Sequence, residues 1–266
     1  MIHKSTEEGA KMQTVEYRVS DHVGTIAMNR PERHNALGYD LLDDLDEAFD
    51  LAEADDAVRV VVLQGNGPSF CSGYDLKGSY YIHGPRSGVA EWNVKEAMLN
   101  LRGIEARYMR IWNFPKPTVA KVHGYALAGG CYLQMLCDVS VAAEDAVLGH
   151  PAMKRGGVSS MPLWQVLLGP KKARYLLMTG RTVDGREAER IGLVSLAAPR
   201  DRLDETVAGI AADIAAVGVA DAFQNKEALN TLMEIQGLGA MFRYAGQMNS
   251  IRFVNRDKSK SSSESE

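Results

Sequence analysis

Hydrophobic and polar positions change period several times along this chain. Val15–Val19 and Val23–Met28 are short apolar runs joined across Ser20-Asp21-His22, and they predict two strands. From Tyr39 to Ala54 the period lengthens. Leu41, Leu42, Leu45, Ala48, Phe49 and Ala52 form one apolar stripe with acidic residues opposite, the pattern of an amphipathic helix. Val58–Gln64 is continuously apolar, rich in β-branched residues and bounded by Gly65-Asn66-Gly67-Pro68. That pattern predicts a buried parallel strand. Gly78–Gly88 has no period and predicts a loop. Helical spacing then runs from Val89 to Trp112, with Met98, Leu101, Ile104, Tyr108 and Ile111 on one side and Pro115 and Pro117 as the stop. Thr118–His123 and Val139–Ala142 predict two more buried strands, and Ala146–Gly149 a short fourth.

Beyond residue 150 the helical period dominates. Pro162–Leu168 and Lys171–Thr179 are separated by Gly169-Pro170; Asp184–Ile191, Leu203–Val217, Asp221–Ile235 and Gly239–Phe253 follow. Strands alternating with helices, then helices alone, predict an α/β core over residues 13–200 and a helical region over 201–256. Residues 1–12 are polar and 257–266 (DKSKSSSESE) are low-complexity, so both are expected to be flexible tails.

Composition narrows the function classes. With 266 residues, 45% apolar and 24% charged, the chain suits one substantial globular domain with a helical annex. A net charge of −4 argues against nucleic acid or an anionic membrane as partner. Cys71, Cys131 and Cys137 form no CxxC pair, so neither a disulfide framework nor a metal site is expected. No signal-peptide run and no bilayer-spanning apolar stretch occurs, which suggests a cytoplasmic location.

Two segments can present backbone N–H groups to a ligand. In Lys121–Asp138, an apolar strand ends at Gly124, a turn of small residues follows, and a helix opens at Ala128–Gly130. The first amides of such a helix have no intrahelical acceptor. In Phe70–Asp75, Gly73 permits a sharp turn that exposes the Tyr74 N–H. Donors from Tyr74 and Gly129 converging on one carbonyl oxygen would stabilise an enolate or tetrahedral oxyanion. Read singly, each glycine signifies only a tight turn or close packing.

Taken together, Asn29-Arg30-Pro31…Asn35-Ala36-Leu37, Phe70–Lys77, Lys116-Pro117-Thr118…His123–Gly130, Cys137-Asp138, Leu148-Gly149-His150-Pro151 and Leu177–Arg181 resemble the crotonase (enoyl-CoA hydratase/isomerase) superfamily in order and spacing. The resemblance runs from about Val15 to Val254. It implies a spiral of ββα units with a C-terminal helical trimerisation region, and trimers that often pair into hexamers. It implies an acyl-CoA substrate of fatty acid metabolism, with CoA as part of that substrate and no permanently bound cofactor. It gives the oxyanion role to the Tyr74 and Gly129 amides. It lines the CoA site with Arg33, Ala36 and Leu37 and with Tyr74, Asp75, Leu76 and Lys77.

The chain departs from the family's hydratase pattern at two places. One water-activating glutamate is expected one helical turn past the oxyanion glycine, where this chain has Tyr132; the other follows Gly-x-Pro, where it has Ala152. Alanine transfers no proton, and a phenol with an ordinary pKa near 10 is a better hydrogen-bond donor than base. Hydration by a glutamate pair is therefore not expected. Isomerisation remains open, as does thioester or C–C bond hydrolysis of a bulky or cyclic acyl group, or acyl-CoA binding without turnover. Tyr132 and His150 are the candidate replacement groups, with Glu91, Glu96 and Glu105 on the preceding helix.

Overall fold

In a computed structural model, residues 12–76, 94–155, 159 and 161–248 are described. The apolar runs form a six-stranded sheet. β1 (Val15–Ser20) and β2 (Val23–Met28) make an antiparallel hairpin at one edge. β3 (Val60–Gly65) and β4 (Thr118–Val122) follow in parallel. Of three further strands, β5 (Tyr125–Leu127), β6 (Val139–Ala143) and β7 (Val147–Gly149), only β6 joins this sheet. β8 (Thr182–Asp184) and β9 (Leu196–Ala198) complete the set, giving the order β1-β2-β3-β4-β6-β9. Every residue of β3 is buried, as its unbroken apolar run requires.

The helices cover this sheet. α1 (Tyr39–Ala54) turns its Leu41–Ala52 stripe against β1 and β2. α2 (Val94–Trp112) packs on α3 (Gly129–Leu136). α4 (Leu163–Thr179) bends at Gly169, whose φ of +67° is open to glycine at little cost, and Pro170 follows. α5 (Gly185–Arg190) is capped by the Asp184 carboxylate, which accepts from the Glu187 N–H. α6 (Leu203–Ala216) lies on β3, β4 and β6, α7 (Val219–Ile235) follows, and α8 spans 238–248. No strand occurs beyond β9 among the described residues.

The structure corrects the sequence reading around Gly124. Residues 125–127 are not a turn but strand β5, which pairs in parallel with β7 while β8 pairs antiparallel on its other side. β8 and β9 likewise lack a sequence signal. Three-residue strands are too short to display a period, and their pairing comes from residues at least 20 positions away. The small sheet continues through isolated bridges from Ala126 to Cys71 and from Tyr74 to Leu37. It is this ladder that brings the two amide-bearing segments side by side.

Candidate active site

β5 runs directly into α3 through Ala128. The Ala128 N–H donates to Gly149 O at 2.8 Å, and the Tyr132 N–H reaches back to Ala128 O at 3.0 Å. Ala128 holds φ +48°, ψ −116°, an unusual backbone for a residue with a Cβ, at the position from which the helix amides fan out. Gly129 is the first helical residue, so its N–H belongs to the first turn, where no intrahelical acceptor exists.

The Phe70–Asp75 segment lies against this junction. The Cys71 N–H donates to Tyr125 O, and the Leu127 N–H to Cys71 O. On its other side, the Leu37 N–H donates to Gly73 O at 2.7 Å and the Asp75 N–H to Leu37 O at 2.9 Å. In a parallel ladder of this kind the bracketed residue, Tyr74, points its own N–H away from Leu37. A Cβ on Gly73 would stand 2.6 Å from Leu127 O, and one on Gly129 would stand 2.8 Å from Tyr74 Cε1. Glycine at both positions is thus what allows the two segments to touch.

Above them lies a chain of three tyrosines. The Tyr108 hydroxyl donates to the Tyr74 hydroxyl at 2.9 Å. The Tyr108 and Tyr132 rings meet edge to face at 6.0 Å between centroids, and Tyr132 stacks on His150 at 5.6 Å. The Tyr132 hydroxyl is 2.8 Å from Ser159 Oγ. Burial pushes the Tyr132 and Tyr74 phenols well above their ordinary value of 10, and Tyr74 itself raises Tyr132 further. Trp164 Nε1 is buried and makes no hydrogen bond of ordinary geometry among the described residues, yet it lies near enough to Tyr132 to oppose that shift, as Ser159 does. A phenol so placed donates a hydrogen bond at neutral pH and is a poor base. Neither Ser159 nor Trp164 carried a sequence signal, because no motif or period marks either one.

His150 is buried at the end of β7. A 3-10 turn over Pro151–Arg155 follows at once, so the same-face relation of His150 and Ala152 expected of an extended strand does not form. Cys71 and Cys131 are buried and their thiols are pushed up to about 12 by burial, so they act as small packing groups.

Asp75 braces the turn that positions Tyr74. Its buried carboxylate takes Arg33 at 2.5 Å on one oxygen and Arg30 at 3.4 Å on the other. Arg30 also donates to Ala36 O at 2.7 Å, tying the two segments together. Ala36 and Leu37 are buried, whereas Leu76 is 66% exposed and Arg33 half-buried. Lys77, Tyr80, Tyr81, Glu91 and Trp92, and the side chain of Glu96, lie outside the described residues. A small cavity opens beside the tyrosines, lined by Tyr74, Ile104, Glu105, Tyr108, Met161 and Phe242.

Residues 18–265 match the family model for enoyl-CoA hydratase/isomerase. A "probable enoyl-CoA hydratase" of Rhizobium meliloti (strain 1021) is 35% identical over 92% of this chain and 92% of its own. Among solved structures, a probable enoyl-CoA hydratase from Mycobacterium thermoresistibile superposes with a TM-score of 0.82 at 33% identity, over 91% of this chain and 97% of that one. An enoyl-CoA hydratase/isomerase from Xanthobacter autotrophicus Py2 gives 0.83 at 34% identity, over 90% and 87%. A crotonase fold, paired amide segments at Tyr74 and Gly129, and a match over nearly the whole length lead to one assignment: the chain belongs to the enoyl-CoA hydratase/isomerase family of acyl-CoA enzymes.

Proposed function

We propose that this enzyme holds the thioester carbonyl of an acyl-CoA between the Tyr74 and Gly129 amides and works through an enolate or oxyanion, by a reaction other than glutamate-pair hydration. The observation that carries this reading is the phenol of Tyr132, held by Ser159 and raised by burial, at the place where the resemblance expects a carboxylate. Ala152 supplies no second one. Tyr132 therefore acts as hydrogen-bond donor to an acyl oxygen or to developing charge, and His150 holds its ring. Two amides aimed at one oxygen stabilise the charge that grows there. Arg33, Ala36 and Leu37, with Asp75 and Leu76, are assigned the CoA side of the site, on the family resemblance. The apolar pocket walls of Ile104, Met161 and Phe242 suit an apolar acyl group, a bulky or cyclic one among the candidates. Exposed Val219, Phe223, Leu229, Leu232 and Ile235 on α7 support assembly as a trimer or dimer of trimers.

Purified enzyme is assayed against crotonyl-CoA, β,γ-enoyl-CoA, saturated acyl-CoA and cyclic β-ketoacyl-CoA thioesters. The expected result is turnover of an isomerisation or hydrolysis substrate with little crotonyl-CoA hydration. Hydration at the rates of efficient enzymes sinks the reading. Binding of every thioester without turnover of any favours a non-catalytic binder.

A further inference from the structure

The proposed function assigns an oxyanion site and a phenol donor but no group that takes a proton from carbon. The cavity beside Tyr74 contains one. Its wall from α2 is formed by Leu101, Ile104, Glu105 and Tyr108, and its opposite wall by Met161 with Phe242 and Gly246 of α8. Leu101, Glu105 and Tyr108 are spaced by four and three residues, so they share one helix face. That face looks into the cavity that also holds the Tyr74 ring, on the residue whose amide is assigned to the thioester oxygen. Glu105 is the carboxylate of this lining among the described residues. Glu105 also lines a second opening, together with Arg102 and Arg243, so its side chain is shared by two adjoining openings. Its Oε2 lies against Gly246, within 3.3 Å of where a Cβ on that residue would be.

We propose that Glu105 is a catalytic residue, the carboxylate that moves the substrate's α-proton in this cavity. The proposal rests on the oxyanion reading given above. In the step, the Cα–H bond breaks and a Glu105 O–H bond forms. The electron pair passes into the thioester, whose oxygen becomes the enolate oxygen held by the Tyr74 and Gly129 amides. Glu105 then returns the proton to Cα, which gives exchange, or to Cγ, which gives isomerisation. The charged groups beside it are Arg102 on its own helix and Arg243 on α8, and the Tyr74 and Tyr108 side chains line the same cavity. Desolvation moves the carboxyl up from its ordinary 4.5 while both arginines act to lower it. A carboxylate on the wall of this cavity can accept a proton from carbon and return it.

The test uses phenylacetyl-CoA, whose α-protons are acidic and whose acyl group is bulky, in deuterated buffer. α-Deuteration is followed by NMR and binding by calorimetry. Wild-type enzyme is expected to exchange the α-protons, with an acidic limb in the pH profile. Glu105→Gln is expected to bind with unchanged Kd, to exchange about 100-fold more slowly and to lose the acidic limb. Glu105→Asp is expected to keep the limb and recover part of the rate. A Glu105→Gln enzyme that exchanges within about threefold of wild type, with the limb intact, overturns the role of Glu105 and leaves the oxyanion reading standing. Wild-type enzyme that binds the thioester without exchanging it overturns both the role of Glu105 and the enolate form of the oxyanion reading.

Discussion

The rings of Tyr132 and His150 stack with centroids 5.6 Å apart and planes 28° apart, and the hydroxyl of that same tyrosine meets Ser159 Oγ at 2.8 Å. The phenol is therefore fixed at both its face and its tip. A fixed donor is pre-organised, so little is lost when it bonds to charge developing on a substrate. Tyr132→Phe keeps the ring and its stacking and removes only the hydroxyl. Turnover of the identified substrate is expected to fall roughly 100-fold, with KM for the thioester nearly unchanged. Stability should drop by only about 0.5–1.5 kcal/mol, the worth of one hydrogen bond, as read by urea unfolding. Undiminished turnover removes Tyr132 from the chemistry.

Two adjacent glycines of α3 are expected to behave differently. A Cβ at Gly129 meets side chains, Leu37 Cδ1 at 2.7 Å and Tyr74 Cε1 at 2.8 Å, which can shift at the expense of the site. A Cβ at Gly130 meets the backbone oxygen of Cys71 at 2.2 Å, which cannot move without breaking the small sheet. Gly129→Ala should therefore lose acyl-CoA affinity and turnover while staying folded, with a destabilisation of about 1–3 kcal/mol. Gly130→Ala should lose more stability than that or fail to accumulate as folded protein. Thermal unfolding followed by circular dichroism, with calorimetry of thioester binding, separates the two.

Ala128 carries backbone strain that glycine would relieve. Its φ of +48° with ψ −116° costs a side-chain-bearing residue about 1–3 kcal/mol. Glycine removes that cost and adds about 0.5–1 kcal/mol of lost unfolded-chain entropy. The expected balance for Ala128→Gly is a gain of about 1 kcal/mol, seen as a higher Tm. A lowered Tm would show that the Ala128 methyl contributes more by packing than its backbone costs.

His123 should impose a pH slope on stability. Burial, above all, holds its pKa below the ordinary 6.5, with Arg200 and Lys121 acting in the same direction and the bond to Gly67 O opposing. The unfolded chain then binds the proton more readily than the folded one. Stability from this group is full above 6.5 and declines as pH falls from there toward the folded pKa. His123→Gln retains a donor for Gly67 O but cannot titrate. The difference in unfolding free energy between wild type and this variant should change with that sign on acidification from pH 7 to about 5, whatever other groups contribute in common. A difference that is flat across this range refutes it.

Much of the architecture was legible from residues alone, because the signals are local. The α1 stripe from Leu41 to Ala52, the unbroken β3 run and the Gly169-Pro170 break each depend on neighbours within a few positions. The amide segments at Tyr74 and Gly129 were legible for the same reason, since glycine and a strand-to-helix junction mark them. So was the identity of Tyr132 and Ala152 at places where a carboxylate is expected. What the tertiary structure decided is which of these distant pieces meet. β5 forms only because β7 is there to pair with it, and a three-residue strand carries no period of its own. Tyr132 gains its meaning from Ser159 and His150, at separations of 27 and 18 residues, and Glu105 gains its place from a cavity closed by Tyr74 and α8. Burial and electrostatics depend on everything packed around a group, so a helix face that is merely amphipathic in sequence becomes a site only once its partners are in place.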